Sequence, residues 1–325
     1  MNYIVFDLEW NQNPNERARP NRLLPFEIIE IGAVRLDENR NILDTFHRLI
    51  RPSVYHWIQD SIHQVIHVNY RDLRKGTPFP DAAEDFIQWC GPEYRFCTWA
   101  KQDVMELQRN MRYYHMLDLL PGPVVYYDVQ KLYSLSFEDG KVRRSLENVV
   151  DQLHLVRDKK FHRAMADAVY TAQILQQISP RFLSGYESVD AWQNPKDKEE
   201  EFLLRSGERE KYISREFSNR DRLLWDPQVY DIHCPVCLKD TQPALSAHRG
   251  KAGKPDWFMN NSKVFFSLTR CSEHGLIAGR IRVRKTELGR YFAIKTLRPA
   301  SQEDAQELRA KREALMEKKS KKQDR

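Results

Sequence analysis

No stretch of the 325-residue chain approaches the ~18 consecutive apolar residues that a membrane-spanning helix needs. The N-terminus enters a strand-like run directly, without the basic and apolar regions of a secretory leader. No membrane partner is therefore expected, and the expected location is the cytoplasm. Cysteine is scarce and odd in number, at Cys90, Cys97, Cys234, Cys237 and Cys271. Without a leader this argues against a disulfide framework. Cys90 and Cys97 lie among apolar residues and read as ordinary buried thiols. No internal repeat is visible. Hydrophobic residues make up 41% and charged residues 30%, so parts of the chain must be solvated linker or tail.

The net charge of +6 is modest, but it is unevenly placed. Residues 231–300 hold 13 Lys and Arg against 5 Asp and Glu, whereas the first 230 residues are net acidic. A basic C-terminal third suggests a polyanionic partner held there.

The apolar run at Tyr3-Ile4-Val5-Phe6 predicts a strand buried on both faces. Phe26–Leu36 and Ile42–Ile50 read as an antiparallel pair joined by a polar turn. Strands at 95–99 and 124–129 then alternate with helical spacing at 81–90, 101–114, 145–153 and 163–178. This order predicts an α/β domain over residues 1–185, with a mixed sheet between helices. A charged linker, part helical, is expected at 186–229. A small β-rich basic module follows at 230–300, and a charged helical or disordered tail at 301–325.

Two acids interrupt the first strand. Strand side chains alternate faces, so Asp7 and Glu9 stand side by side. Adjacent buried carboxylates repel one another and cost desolvation, which a divalent cation with hard oxygen ligands would offset. On this stretch alone, a strand ending at Leu8 with solvated acids after it is an equal alternative. Asp103 follows the strand at 95–99, at a strand-to-helix switch, where a first-turn helix acid is the plain alternative. Asp167 lies on an otherwise small and apolar helix face, with His162 just before that helix.

Together these runs resemble the DEDDh exonucleases, the group of RNase T, the proofreading subunits and the Eri-type enzymes. Phe6-Asp7-Leu8-Glu9 resembles their first motif, followed by Glu27-Ile28-Ile29-Glu30-Ile31-Gly32-Ala33. Thr98-Trp99-Ala100-Lys101-Gln102-Asp103 resembles the second, with Ala100 where many members have glycine. His162-Arg163-Ala164-Met165-Ala166-Asp167 resembles the third, and Arg163 stands where the tyrosine variant would need tyrosine. The resemblance implies an RNase H-like fold and two Mg²⁺ or Mn²⁺ ions held by Asp7, Glu9, Asp103 and Asp167, with Asp7 bridging both. It implies that His162 is the general base, and that Leu8 and Trp10 hold the last nucleotide. The implied reaction releases nucleoside 5′-monophosphates from the free 3′ end of single-stranded RNA or DNA. RNA is favoured because the RNase T and Eri types are the closer resemblance. Two alternatives share the fold: a regulatory protein of the kind that inhibits sporulation kinases, and a non-catalytic nucleic-acid adaptor. The presence of all five catalytic-type residues weighs against the adaptor.

Cys234-Pro235-Val236-Cys237 and Cys271-Ser272-Glu273-His274 are two knuckle-like turns separated by 33 residues. Three thiolates and an imidazole suit a structural Zn²⁺ in a zinc-ribbon-like module. His233 competes with His274 as the fourth ligand. Between Gly279 and Lys285, Arg280, Arg282 and Arg284 alternate with Ile281 and Val283, which puts the three arginines on one strand face. Arg249, Lys251 and Lys254 add charge in a preceding loop, and Trp257 and Phe258 are candidates for base stacking. The arginines are read as substrate-binding. The plain alternative is an edge strand protected by charge.

Overall fold

The computed structural model describes residues 1–13, 21–56, 70–245 and 255–323. They form two compact units, Met1–Gln193 and Asn194–Arg325. No helix among the described residues is long and apolar enough to cross a membrane.

The first unit is built on a six-stranded sheet. Its strands are β1 (Asn2–Gln12), β2 (Phe26–Leu36), β3 (Ile42–Leu49), β4 (Tyr94–Thr98), β5 (Val124–Asp128) and β6 (Ser188–Asp190). The spatial order is β3-β2-β1-β4-β5-β6. β1 runs antiparallel to β2 and parallel to β4, so the sheet is mixed, as expected. Two layers of helix cover it. On one face α1 (Phe79–Cys90) and α2 (Gln102–Tyr113) pack on Ile4, Phe6 and Leu8. On the other α3 (Val129–Phe137), α4 (Leu146–Gln152) and α5 (Ala164–Gln177) pack on Val5, Val34 and Cys97. The alternation of β1 thus assigns its residues to two cores. Asp7 and Glu9 continue the Val5 face, which is the face that carries α5. Cys90 and Cys97 are fully buried, one in each core. The architecture is the RNase H-like α/β fold.

The second unit is an antiparallel sheet. Its strands are β7 (Phe202–Ser206), β8 (Arg209–Ile213), β9 (Gln242–Pro243), β10 (Phe258–Asn261), β11 (Val264–Cys271), β12 (Gly275–Lys285) and β13 (Tyr291–Pro299). They are ordered β10-β11-β12-β13-β8-β7, with β9 on β11. The short helix α6 (Arg220–Trp225) adds Leu223 to the core on one face. The terminal helix α7 (Gln302–Gln323) lays Ala305 and Leu308 on the other, against Leu268 and Leu276. Its start is capped by Ser301, whose Oγ accepts the Asp304 N–H at 3.0 Å.

Residues 186–229 are not the charged linker expected. Ser188–Asp190 is the last strand of the first sheet, and the β7–β8 hairpin pairs onto β13. The error has a physical source. The hairpin's apolar run is only Phe202-Leu203-Leu204, between the charged stretches 196–201 and 205–211, so the segment as a whole reads as polar. Residues 249, 251 and 254 lie outside the described residues.

Candidate active site and metal centre

Carboxylate oxygens of Asp7, Glu9 and Asp167 all lie within 4.8 Å of one another. Three local features bring them together. The first is the alternation of β1. The second is Gly32, which pairs with Asp7 across β1 and β2. A Cβ on Gly32 would lie 2.2 Å from the Met165 backbone nitrogen, so the absent side chain lets the start of α5 rest directly on the sheet. The third is His162, whose φ of 61° turns the chain sharply before α5. Its backbone N–H donates to Asp167 Oδ2 at 3.2 Å, while its side chain is exposed.

Asp103, in the first turn of α2, is buried beside this trio but outside it. Its Oδ1 accepts the Leu8 N–H at 3.2 Å, which ties α2 to β1 between the two strand acids. The turn leading to it passes through Ala100 with φ 76°, the left-handed region that glycine prefers. That is the physical content of having alanine in place of glycine in the second motif. Farther along α2, Asn110 bonds the Ile28 N–H at 3.1 Å and the Phe26 carbonyl at 3.0 Å. It braces β2 where the β1–β2 register shifts.

All four acids are pushed up. Burial raises Asp7 well above the usual carboxylate range, and Asp103 and Glu9 add repulsion. Burial likewise raises Glu9, to about 8, with Asp167 and Glu30 next in effect. Asp103 is raised by burial against the opposing pull of backbone N–H groups. Asp167 rises to about 6, again by burial, and its Oδ1 is buried with no hydrogen-bond partner. A set of hard oxygen donors, destabilised as anions and including an orphaned buried oxygen, fits divalent cations such as Mg²⁺ or Mn²⁺.

Glu30 completes the electrostatics and was not singled out by the sequence. It lies opposite Glu9 in register and is 1% exposed. Burial would raise it, but hydrogen bonds from His47 and Arg163 outweigh that and hold its carboxyl below the usual range. Arg163 Nε and Nη2 reach it at 3.0 Å each, and His47 Nε2 at 2.7 Å. The clamp fixes Arg163, and with it the turn that carries His162. An acid within the apolar run of β2 was the available signal.

Of the two residues expected at the substrate end, one turns its side chain elsewhere. Leu8 is 3% exposed and packs in the core with α1 and α2, so its side chain does not reach the acids' face. Alternation on β1 requires this, because Leu8 lies between Asp7 and Glu9. Trp10 is half-buried, with its ring 5.9 Å from that of Phe26.

In the second unit, Cys234, Cys237 and Cys271 Sγ and His274 Nδ1 form the other group within 4.8 Å. Cys234 and His274 are 3.6 Å apart, Cys237 and Cys271 3.6 Å, and Cys271 and His274 3.8 Å. A tetrahedron with arms of about 2.3 Å has edges of about 3.8 Å, so the four atoms fit Zn²⁺. Backbone N–H groups of His274 and Glu273 lower the Cys271 thiol to about 6. The first knuckle turns through Leu238 at φ 62° and the second through Gly275 at φ 72°. His233 lies outside this group of four, and its Nε2 is bonded to Glu210 at 2.8 Å.

Arg280, Arg282 and Arg284 share one face of β12, and Ile281 and Val283 are buried on the other. Trp257 is not available for stacking beside them. It lies on the opposite face over Gly279, with its Nε1 bonded to the Tyr230 carbonyl at 2.7 Å.

A family profile described as exonuclease matches residues 4–175. Among solved structures, the chain is similar to the nuclease domain of 3'hExo, a DEDDh family member bound to rAMP. The identity is 21% over 54% of this chain and 90% of that one, with a TM-score of 0.47. It is also similar to S. pombe Pop2p in its Mg²⁺- and Mn²⁺-bound form, at 20% identity over 58% and 86% with a TM-score of 0.44. Cell-death related nuclease 4 is similar at 19% identity over 58% and 66%, with a TM-score of 0.44. No curated protein sequence matches significantly. The profile spans more than half of the residues and contains all four acids and His162, and the chain belongs to the exonuclease family.

Proposed function

We propose that the protein is a divalent-metal-dependent 3′→5′ exonuclease that trims single-stranded ends, RNA in preference to DNA. The observation that carries this reading is the Asp7, Glu9 and Asp167 group, with Asp103 beside it and His162 tethered to Asp167. Asp7, Glu9, Asp103 and Asp167 would hold the ions. Bound divalent cations supply charge neutralisation and stabilise the attacking and leaving oxygens of an in-line displacement at phosphorus. His162 takes the proton of the attacking water, since its ring is exposed while its backbone is fixed to the acid cluster. Glu30 holds Arg163 and so keeps that histidine at the edge of the site. The half-buried Trp10 is the candidate contact for the terminal base. The Cys234, Cys237, Cys271 and His274 group holds a structural Zn²⁺ in the second unit.

Incubating 5′-labelled single-stranded RNA and DNA 20-mers with the protein and Mg²⁺ or Mn²⁺ tests the reading. The expected product is a ladder shortened from the 3′ end, faster for RNA, and absent with Asp7→Ala. A ladder that persists unchanged in Asp7→Ala would overturn the metal-site assignment. Faster trimming of DNA would reverse the substrate preference.

A further inference from the structure

Arg280, Arg282 and Arg284 are three like charges on consecutive outward positions of one strand. Protection of a sheet edge does not account for them, because β12 is bonded to β11 on one side and β13 on the other. Nor does internal pairing: among the described residues, none of the three has a carboxylate at ion-pair distance. Burial lowers both Arg280 and Arg282, and repulsion from neighbouring arginines lowers them further.

The register shows what surrounds them. One row across the sheet runs Phe258, Phe266, Arg280, Thr296, Lys211 and Leu204. The next runs Val264, Arg282, Ile294, Ile213 and Phe202. Residues in one row point to one face. Only one acidic residue, Glu210, occurs in these strands, and it lies on the opposite face bonded to His233. From α7, Lys311 adds its ammonium 5.1 Å above the Phe266 ring. Beyond the end that α7 covers at Leu268 and Leu276, where its Asp304 pairs with Arg298, this face is cationic and free of strand carboxylates, with apolar and aromatic side chains between the charges.

We infer that this face of the second unit's sheet is a binding platform for a single-stranded nucleic acid, with successive phosphates meeting Arg280, Arg282 and Arg284 along β12. Alternate residues on a strand repeat every ~6.8 Å, so one extended phosphodiester chain can follow the three guanidinium groups. Arginine suits phosphate oxygens, and the interleaved Ile294, Phe266 and Val264 offer apolar surface to bases. The choice of occupant rests on the exonuclease reading. The demand for a polyanion rests on the uncompensated arginines alone.

The test measures binding without hydrolysis. Full-length Asp7→Asn protein, kept zinc-replete, is titrated with fluorescein-labelled single-stranded RNA and DNA 20-mers at several salt concentrations. Arg280→Gln with Arg282→Gln is expected to weaken binding at least tenfold. It should also lower the slope of log K against log salt by about 1.4, at about 0.7 per phosphate contact. Arg280→Lys with Arg282→Lys, which keeps the charges, should retain most of the slope. An unchanged affinity and slope in the glutamine pair would overturn the inference. So would capture of a polyglutamate peptide in preference to either oligonucleotide, which would mark the face for an acidic protein. Strand binding through these arginines in a protein that trims nothing would sink the exonuclease reading and leave the platform standing. Trimming with no change in binding would do the reverse.

Discussion

The carboxylates of the first unit and the thiolates of the second are assembled on opposite plans. Asp7 and Glu9 come from a central strand, Asp167 from a helix that reaches them only because Gly32 has no side chain. The cluster depends on the packing of the whole unit. The Cys234 and Cys271 turns are each complete within four or five residues, and the sheet needs only to hold two turns together. The first plan places like charges where the fold resists them and leaves them dependent on a counter-ion. The second, if it holds the proposed Zn²⁺, would store its stability in the ligand bonds themselves. A site of the first kind is expected to fail in chemistry when altered, and one of the second kind in folding.

Zinc offers the sharpest break. Binding to structural sites of this type is worth about 10–16 kcal/mol in isolated peptides at neutral pH. Cys271→Ser should therefore lose the metal and the cooperative melting of the second unit, read by metal analysis and calorimetry. If wild-type protein contains no zinc and melts like the variant, the two clusters do not differ in this way. The converse for the first unit is His162→Ala. With the proposed base removed and the acids kept, the proposed trimming should slow by about 10²–10⁴ while the melting temperature holds. A variant trimming at the wild-type rate would remove His162 from the mechanism.

A smaller effect separates the two clusters by pH. Glu9 and Asp167, at about 8 and about 6, bind more protons folded than unfolded. Their contribution to stability is present below the ordinary carboxylate range and is lost as pH rises through those values. Without Mg²⁺, the first unit should melt lower at pH 8 than at pH 5.5, and Mg²⁺ should raise the melting temperature more at pH 8. An equal Mg²⁺ shift at both values would contradict the repulsion described for the four acids. The smallest effect concerns Ala100. Glycine there relieves about 1–2 kcal/mol of left-handed strain but adds about 0.5–1 kcal/mol of unfolded-chain entropy. Ala100→Gly should raise stability by about 0.5–1 kcal/mol, a shift of a few degrees at most. A lower melting temperature would mean that the alanine methyl makes a contact worth more than the strain.

The same contrast explains what was legible in the sequence. Each knuckle is a local pattern with its ligands at short spacing, so both could be read directly. The acids could be placed on one strand face by alternation, and the motif order supplied the rest. The pairing of Glu30 with Arg163 and the approach of α5 to Gly32 depend on contacts between segments far apart in the chain. No spacing rule carries that information. Strand alternation turns the Leu8 side chain away from the acids, so a substrate contact there falls to its backbone. The β7–β8 hairpin is hard to read because its apolar run, Phe202-Leu203-Leu204, is only three residues long and lies among charged residues.

The five cysteines also divide along this line, into two sealed in the cores of the first unit and three gathered at the knuckles of the second. Burial pushes both Cys90 and Cys97 far above the ordinary thiol range, so neither offers a thiolate to an alkylating reagent while the fold is intact. With the proposed zinc at the knuckles, the reactive thiols that appear when metal is withdrawn would therefore all come from one place. A colorimetric thiol count on native protein, near zero when loaded and approaching three when stripped, serves as an occupancy gauge for the knuckle site, against a background that the cores of the first unit keep silent.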